Sequence, residues 1–163
     1  IPNVGKSSFI NRMAGGKRTK VEDRPGVTRS QQWVKVNGGP GLNNLDLLDM
    51  PGVLWPKFED PLVGEKLAFT GAIKDDIMDI ELLAARLLEF LNENYRQMIC
   101  GRYRLEENEV TDLAGFDLLS LIGKKRGMLI SGGEVNTERA AIMVLDEFRS
   151  GKIGRISLEA PTA

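Results

Sequence analysis

The sequence predicts a chain of two parts, an α/β part followed by a small all-α domain. A short helical pattern follows Gly5, and two apolar segments then flank a run of turn residues at 37–41. From about residue 61 the apolar residues recur at helical spacing only. Strand and helix patterns together are typical of α/β folds, and helix patterns alone are typical of bundles. We therefore predict domains at residues 1–70 and 71–163, with Thr70-Gly71 at the junction.

Two strands and one helix are predicted in the first part. Residues 6–14 carry apolar residues at helical spacing and stop at Gly15-Gly16, which favours a helix end there. Residues 31–36 and 42–48 are predicted to form a hairpin. Asp49 then lies at the end of a strand, where α/β folds place their ligands.

Three helices are predicted in the second part. The first carries a core face between Ile80 and Leu91, and the second runs from about Leu113 and ends near Gly123. The third has a less regular apolar face, formed by Val135, Ala141, Val144, Leu145 and Phe148.

Composition limits the chemistry that this chain can perform. The longest apolar stretches are interrupted by charges and fall short of the roughly 20 apolar residues of a membrane span. One cysteine allows no internal disulfide and favours a reducing compartment, so we expect a cytoplasmic protein. No histidine is present, so the most usual general base is missing from these residues.

Positive charge is concentrated near the N-terminal end. Residues 1–70 hold ten Lys and Arg against seven Asp and Glu, whereas the remainder holds twelve against sixteen. Basic residues within one short Gly-containing stretch could contact nucleic-acid phosphates, among them Arg18, Lys20 and Arg24. A solvated loop is the alternative interpretation of the same charges.

The opening residues match the end of a Walker A motif. Gly5-Lys6-Ser7 supplies the last three positions of G-x-x-x-x-G-K-[ST], and the first glycine would precede Ile1, so we expect a fragment that begins inside the motif. In such a loop, amides at a helix N-terminus face the phosphates and the lysine neutralises the β- and γ-phosphates. The serine hydroxyl binds Mg²⁺, which prefers oxygen ligands. The predicted nucleotide-binding residues here are Asn3, Val4, Gly5, Lys6, Ser7 and Ser8.

A second motif supports the first. Asp49-Met50-Pro51-Gly52 follows a strand about forty residues later, as does the Asp-x-x-Gly in which the aspartate holds Mg²⁺ through water and the glycine amide contacts the γ-phosphate. Thr28 is predicted to complete the magnesium shell in the triphosphate state. Val53 occupies the position where a Ras-like site has its water-orienting glutamine, so no catalytic residue is assigned and slow intrinsic turnover is predicted.

These motifs resemble those of the ribosome biogenesis GTPase A family, the YlqF-type circularly permuted GTPases. The resemblance covers nearly the whole chain and includes the segments Pro2–Ser7, Asp23–Thr28, Gln31–Val34, Asp49–Lys57, Gly71–Asp75, Lys125–Gly127 and Ser131–Gly133. It implies an α/β P-loop GTPase portion whose guanine-specifying motifs come before the P-loop, followed by a helical domain. The residues themselves leave an adenine nucleotide site open.

The resemblance further implies a factor that binds GTP and GDP and acts late in assembly of the large ribosomal subunit. It implies contacts with ribosomal RNA and proteins, for which Lys124, Lys125 and Arg126 are candidates, and Arg102 and Arg104 could add to them. Without the family, solvated side chains on a structural cap are the preferred interpretation. The family resemblance also implies activation by K⁺, and we carry this role over to Asn3 as a hypothesis. A nucleotide-gated RNA-binding module with negligible hydrolysis, or another potassium-dependent GTPase such as a tRNA-modifying one, is the alternative.

Overall fold

The computed structural model describes residues 4–16, 31–36, 44–52, 60–73, 75 and 78–159. Within these residues it contains a helix, two strands and then six helices. In chain order they are α1 (Lys6–Met13), β1 (Gln32–Val36), β2 (Leu45–Asp49), α2 (Pro61–Phe69), α3 (Ile80–Asn94), α4 (Arg96–Tyr103), α5 (Glu107–Val110), α6 (Gly115–Lys125) and α7 (Thr137–Arg149).

The α/β part contains an antiparallel strand pair. β1 and β2 pair so that Gln32 lies opposite Asp49 and Val34 lies opposite Leu47. Val34 and Val36 are buried while the intervening Lys35 is exposed, as expected for a strand with one buried face. Both strands and their antiparallel pairing are therefore confirmed, although the predicted turn at residues 37–41 lies outside the described residues. Asp49 ends β2 as predicted.

The backbone divides into two compact units. One consists of Ile1–Pro61 with Gly71–Lys74, and the other of Leu62–Thr70 with Asp75–Ala163. All of α2 except its first residue groups with the helical unit, whereas the short segment after α2 groups with the first unit. The sequence-based boundary at residues 70 and 71 stays a prediction, because this division crosses the chain at three places.

The helical unit is built around α3, which packs against α6 and α7. The largest fully buried side chains of these three helices are aliphatic: Leu87, Leu88, Leu91, Leu118, Leu119, Ile122, Val144 and Leu145. Each fully buried side chain of this kind contributes about 1.5–3 kcal/mol relative to an exposed one. The predicted core face of α3 is confirmed. Two further helices, α4 and α5, lie between α3 and α6 and were not predicted.

The predicted end of α6 near Gly123 is wrong. The helix continues to Lys125, and Gly127, with φ of 67°, provides the left-handed residue that follows the helix. Gly123 instead marks a close approach, since a Cβ there would lie 2.5 Å from Cγ1 of Val135 and 3.2 Å from Cβ of Ala140. Val135 was assigned to the helix that follows, but α7 begins at Thr137 and Val135 pairs with Leu129 in a β-bridge.

Cys100 lies on α4 and is buried, with 8% of its surface exposed. Burial raises the pKa of its thiol above the ordinary value, and the negative charge of Glu107 adds to the rise. The thiol is therefore protonated at neutral pH.

None of the helices in the described ranges is long and apolar enough to cross a lipid bilayer.

Candidate phosphate and magnesium site

The turn into α1 is shaped to receive an anion. Gly5 precedes the helix with φ of 83° and ψ of 15°, a left-handed conformation that costs glycine little. Its carbonyl oxygen accepts the first helical hydrogen bond, from the amide of Phe9 at 2.8 Å. The first N–H groups of a helix point along its axis without helical partners. Lys6 begins the helix, so a positive side chain adds to the positive end of the helix dipole.

A side chain from this first turn reaches the end of β2. The hydroxyl of Ser7 donates a hydrogen bond to Oδ2 of Asp49, with an oxygen-to-oxygen distance of 2.9 Å. The Asp49 side chain is held at the strand terminus and is 1% exposed. The structure thus brings together two residues predicted to bind one metal ion.

The second carboxylate oxygen of Asp49 fits a magnesium site. Oδ1 is buried and has no hydrogen-bond partner among the described residues. A buried carboxylate oxygen left in this state is costly unless a cation or a water satisfies it. Mg²⁺ binds hard oxygen ligands, keeps several waters and takes further ligands from nucleotide phosphates, so it needs few protein side chains. No group of three metal-binding acidic, histidine or cysteine side chains occurs in the described segments.

The structure describes only some of the predicted site residues. Val4 is 60% exposed before the turn, Ser8 is in the first turn of α1, and Gly52 lies half-buried three residues after Asp49. Asn3, Thr28 and Val53 lie outside the described residues, as do the basic residues Arg18, Lys20 and Arg24. Their roles stay predictions.

The basic end of α6 is partly occupied by acidic partners. Nζ of Lys125 lies 3.3 Å from Oε1 of Glu109. Arg126 lies 3.6 Å from Glu147, and its guanidinium carbon stands 5.4 Å from the centre of the Tyr103 ring. Lys124 is exposed. RNA binding by these three residues remains a prediction.

A partly buried ion pair joins α4 to α7. Nε of Arg102 donates to Oε2 of Glu147 at 2.9 Å, and its Nη2 donates to Oε1. The hydrogen bond from Arg102 lowers the pKa of the Glu147 carboxyl group below its usual value. Burial raises the pKa of the adjacent Tyr103, and the negative charge of Glu147 contributes to the rise. Arg102 is thus paired with a residue of α7, and its contact with RNA stays a prediction. The sequence contains no signal for this pair, because its members are 45 residues apart.

A left-handed glycine at a helix start, a lysine in the first turn and a serine bound to a strand-end aspartate define a P-loop nucleotide-binding protein. A family model described as 50S ribosome-binding GTPase matches residues 1–99. The chain therefore belongs to that family.

The chain is similar over almost its whole length to several ribosome biogenesis GTPases. It is 50% identical over 161 residues to ribosome biogenesis GTPase A of Bacillus licheniformis and 48% identical over 162 residues to that of Priestia megaterium. In both cases the match covers 99% of this chain and 54% of the relative, so the chain spans about half the length of these proteins. The family resemblance predicted from the motifs is confirmed.

Solved structures show the same fold. The GDP-bound structure of TM YlqF has a TM-score of 0.66 at 24% identity, covering 99% of this chain and 58% of the other. The GNP-bound YlqF from T. maritima has a TM-score of 0.57 at 23% identity, covering 98% and 56% respectively. The predicted α/β P-loop GTPase portion followed by a helical part is confirmed.

Proposed function

We propose that the protein binds and hydrolyses GTP and acts as an assembly factor in late maturation of the large ribosomal subunit. The observation that carries the proposal is the Ser7–Asp49 hydrogen bond at the end of a phosphate-binding loop. The relatives named ribosome biogenesis GTPase A, which are 45–50% identical to this chain, support the biological role.

The nucleotide phosphates are bound by the start of α1. The amides after Gly5 donate to the phosphate oxygens, and Lys6 neutralises the β- and γ-phosphates. The hydroxyl of Ser7 would bind Mg²⁺ directly, and the Asp49 carboxylate would hold the ion through a water. When bound, Mg²⁺ supplies charge that stabilises the transferring phosphoryl group. The amide of Gly52 contacts the γ-phosphate and so distinguishes GTP from GDP.

Switching depends on two segments that follow the loop. Thr28 would bind Mg²⁺ in the triphosphate state, and residues 24–28 and 51–55 would then engage the immature subunit. Hydrolysis releases these contacts, and the factor leaves. Val53 cannot orient a water through a hydrogen bond, so turnover is slow alone and is stimulated by the subunit. Asn3 binds K⁺, which provides an activating cation at the phosphates.

Ribosomal RNA and proteins are the proposed partners of both parts of the chain. Arg18, Lys20 and Arg24 contact RNA from the first unit. Lys124, Lys125 and Arg126 contact it from the end of α6, where all three residues are exposed. Phosphate contacts of this kind weaken as salt concentration rises. The proposed location is the cytoplasm, where ribosomal subunits mature.

Phosphate release by the full gene product tests the proposal. GTP and ATP are compared in K⁺ and in Na⁺, with and without purified large ribosomal subunits. We expect turnover that is selective for GTP, faster in K⁺ and strongly stimulated by subunits. Equal turnover of ATP and GTP, or turnover that subunits do not change, would contradict the proposal and support only a generic P-loop nucleotide hydrolase.

A nucleotide-gated RNA-binding module is the second candidate, and Val53 is the residue that favours it. In this case GTP changes the affinity for the subunit while multiple-turnover phosphate release stays negligible even at saturating subunit. The same assay therefore separates the two candidates. A third candidate is a tRNA-modifying or other potassium-dependent GTPase. In that case K⁺ should stimulate turnover, and no stable complex with the large subunit should form.

A further inference from the structure

One guanidinium joins three parts of the helical unit. Arg149, the last residue of α7, donates from Nη1 to Oδ2 of Asp75 at 2.7 Å and from Nη2 to Oδ1 at 2.8 Å. It also donates from Nε to the carbonyl oxygen of Phe69 at 3.0 Å, and from Nη2 to that of Ala68 at 2.9 Å. The side chain is 20% exposed.

These four bonds use the particular chemistry of arginine. The planar fork pairs with both oxygens of a carboxylate, and the remaining N–H groups bind carbonyl oxygens at the end of α2. A positive charge is favourable there, because the last carbonyls of a helix have no helical partners and carry the negative end of its dipole. A lysine offers neither the fork nor the number of donors, so only arginine satisfies all these acceptors together.

The residues that Arg149 holds lie on both sides of a short segment. Ala68 and Phe69 precede it and Asp75 follows it, while the segment itself, Gly71–Lys74, groups with the first unit. Gly71 has φ of 73°, so the chain turns directly after α2, and Ala72 is 1% exposed. The chain thus leaves the helical unit and returns to it between residues held by one side chain.

We propose that Arg149 is a positioning residue that couples the nucleotide state of the first unit to the end of α2 through residues 71–74. The proposal rests on the proposed function, because it needs GTP and GDP to alter the first unit. Any displacement of residues 71–74 pulls on Phe69 and Asp75. Since both are fixed to the last residue of α7, the displacement reaches α2 and α7 together instead of being absorbed in the connection.

Loss of the guanidinium should uncouple a displacement of residues 71–74 from α2 and α7. Without Arg149, Phe69 and Asp75 are no longer held to α7. The helical unit then no longer responds when the bound nucleotide changes. Binding at the P-loop itself remains, because Arg149 takes no part in it. Coupling between two sites commonly amounts to changes of about fivefold or more in an equilibrium.

Amide hydrogen exchange of the full gene product tests the coupling. Exchange is followed at residues 5–9 and at residues 66–70, with GDP and with a non-hydrolysable GTP analogue. In the wild type we expect the two nucleotides to give exchange rates at residues 66–70 that differ by about fivefold or more. In R149Q this difference disappears while protection of residues 5–9 by nucleotide persists.

R102Q is the matched control. Arg102 also forms a two-bond ion pair in the helical unit, with Glu147 of α7, and these two bonds involve neither α2 nor Asp75. R102Q therefore lowers stability in a comparable way and keeps the nucleotide-dependent difference. D75N provides a second variant, since it weakens the carboxylate arm only, and combining it with R149Q should cause no further loss.

The outcomes are distinct. If the difference survives in R149Q, or is lost equally in R102Q, Arg149 has no coupling role. If wild-type residues 66–70 do not respond while residues 5–9 are protected by nucleotide, the inference fails and the proposed function stands. If residues 5–9 show no protection with either nucleotide, the proposed function itself fails.

Discussion

Ser7 and Asp49 are 42 residues apart in sequence, yet the hydroxyl of one lies 2.9 Å from a carboxylate oxygen of the other. This hydrogen bond joins the first turn of α1 to the end of β2, and the buried Oδ1 of Asp49 has no hydrogen-bond partner among the described residues. The pair holds the hydroxyl and the carboxylate at one place, which would reduce the ordering needed if they bind Mg²⁺ as proposed.

Asp49→Asn should weaken Mg²⁺ binding to the nucleotide complex by at least about tenfold, or 1.4 kcal/mol. The amide oxygen can still accept from Ser7, so the geometry is kept while the charge is lost. Titration of Mg²⁺ against a fluorescent GTP analogue measures the effect. Asp46→Asn on the same strand is the control, because Asp46 is exposed. Equal magnesium affinities in the two variants would contradict the assignment.

Lys6→Ala should weaken binding of the nucleotide triphosphate far more than Lys125→Ala does. Lys6 stands at the start of α1, where the phosphates are proposed to bind, whereas Lys125 pairs with Glu109 at 3.3 Å on the helical unit. A loss of about a hundredfold for Lys6→Ala corresponds to the removal of one charge-assisted contact. Equilibrium binding of GTP measures both variants, and similar losses would refute the P-loop role of Lys6.

Gly115→Ala should destabilise the helical unit by about 3 kcal/mol. A Cβ at this position would lie 2.2 Å from the backbone oxygen of Ala85, and backbone cannot move aside as a side chain can. Gly101→Ala is the matched substitution, because Gly101 lies within α4 and an added Cβ would meet no atom within 4 Å beyond the adjacent backbone of its own helix. It should stabilise by about 0.5–1 kcal/mol through the higher helix propensity of alanine. Urea unfolding of both variants tests the pair, and a stabilising Gly115→Ala would show that α3 and α6 are farther apart.

Stability should fall on acidification, in part through Glu147. The hydrogen bond from Arg102 lowers the pKa of Glu147 in the folded state below the ordinary value of 4.5. The unfolded chain therefore binds more protons in this range, so the contribution of Glu147 is complete above pH 4.5 and is lost as pH falls through its lowered pKa. The groups that act on Glu147 are Arg102, Tyr103 and Arg126.

Thermal unfolding between about pH 7 and about pH 3 measures this dependence. Glu147→Gln should flatten the acid limb of the curve relative to the wild type, whereas Glu138→Gln, at an exposed position on the same helix, should leave it unchanged. An acid limb that is identical in Glu147→Gln and the wild type would exclude Glu147 as a contributor.

Local sequence patterns predicted the elements around the phosphate site. The helix after Gly5, the two strands and the place of Asp49 at a strand end follow from residue periodicity and turn residues close in sequence. The partner of Asp49 could also be predicted, because the loop and the Asp-x-x-Gly motif both imply the same metal ion.

Long-range packing decided what the sequence could not show. Glycine is common at helix ends, so the sequence predicts a helix end at Gly123. In the structure Val135 and Ala140 pack so close to Gly123 that a Cβ there would clash. The pairs Arg102 with Glu147 and Arg149 with Asp75 join residues 45 and 74 positions apart. From sequence alone, charged residues at those positions are expected to be solvent-exposed. Only the packing of the helices shows that they form pairs.

The buried thiol of Cys100 has a practical consequence for spectroscopy. It is the one cysteine of the chain, and its burial and raised pKa make it a poor nucleophile toward maleimide reagents. A cysteine introduced at an exposed position, such as Asn108→Cys, should therefore accept a fluorophore or spin label selectively in the otherwise native sequence. Pairs of such labels would then report distances within the helical unit without a cysteine-free background.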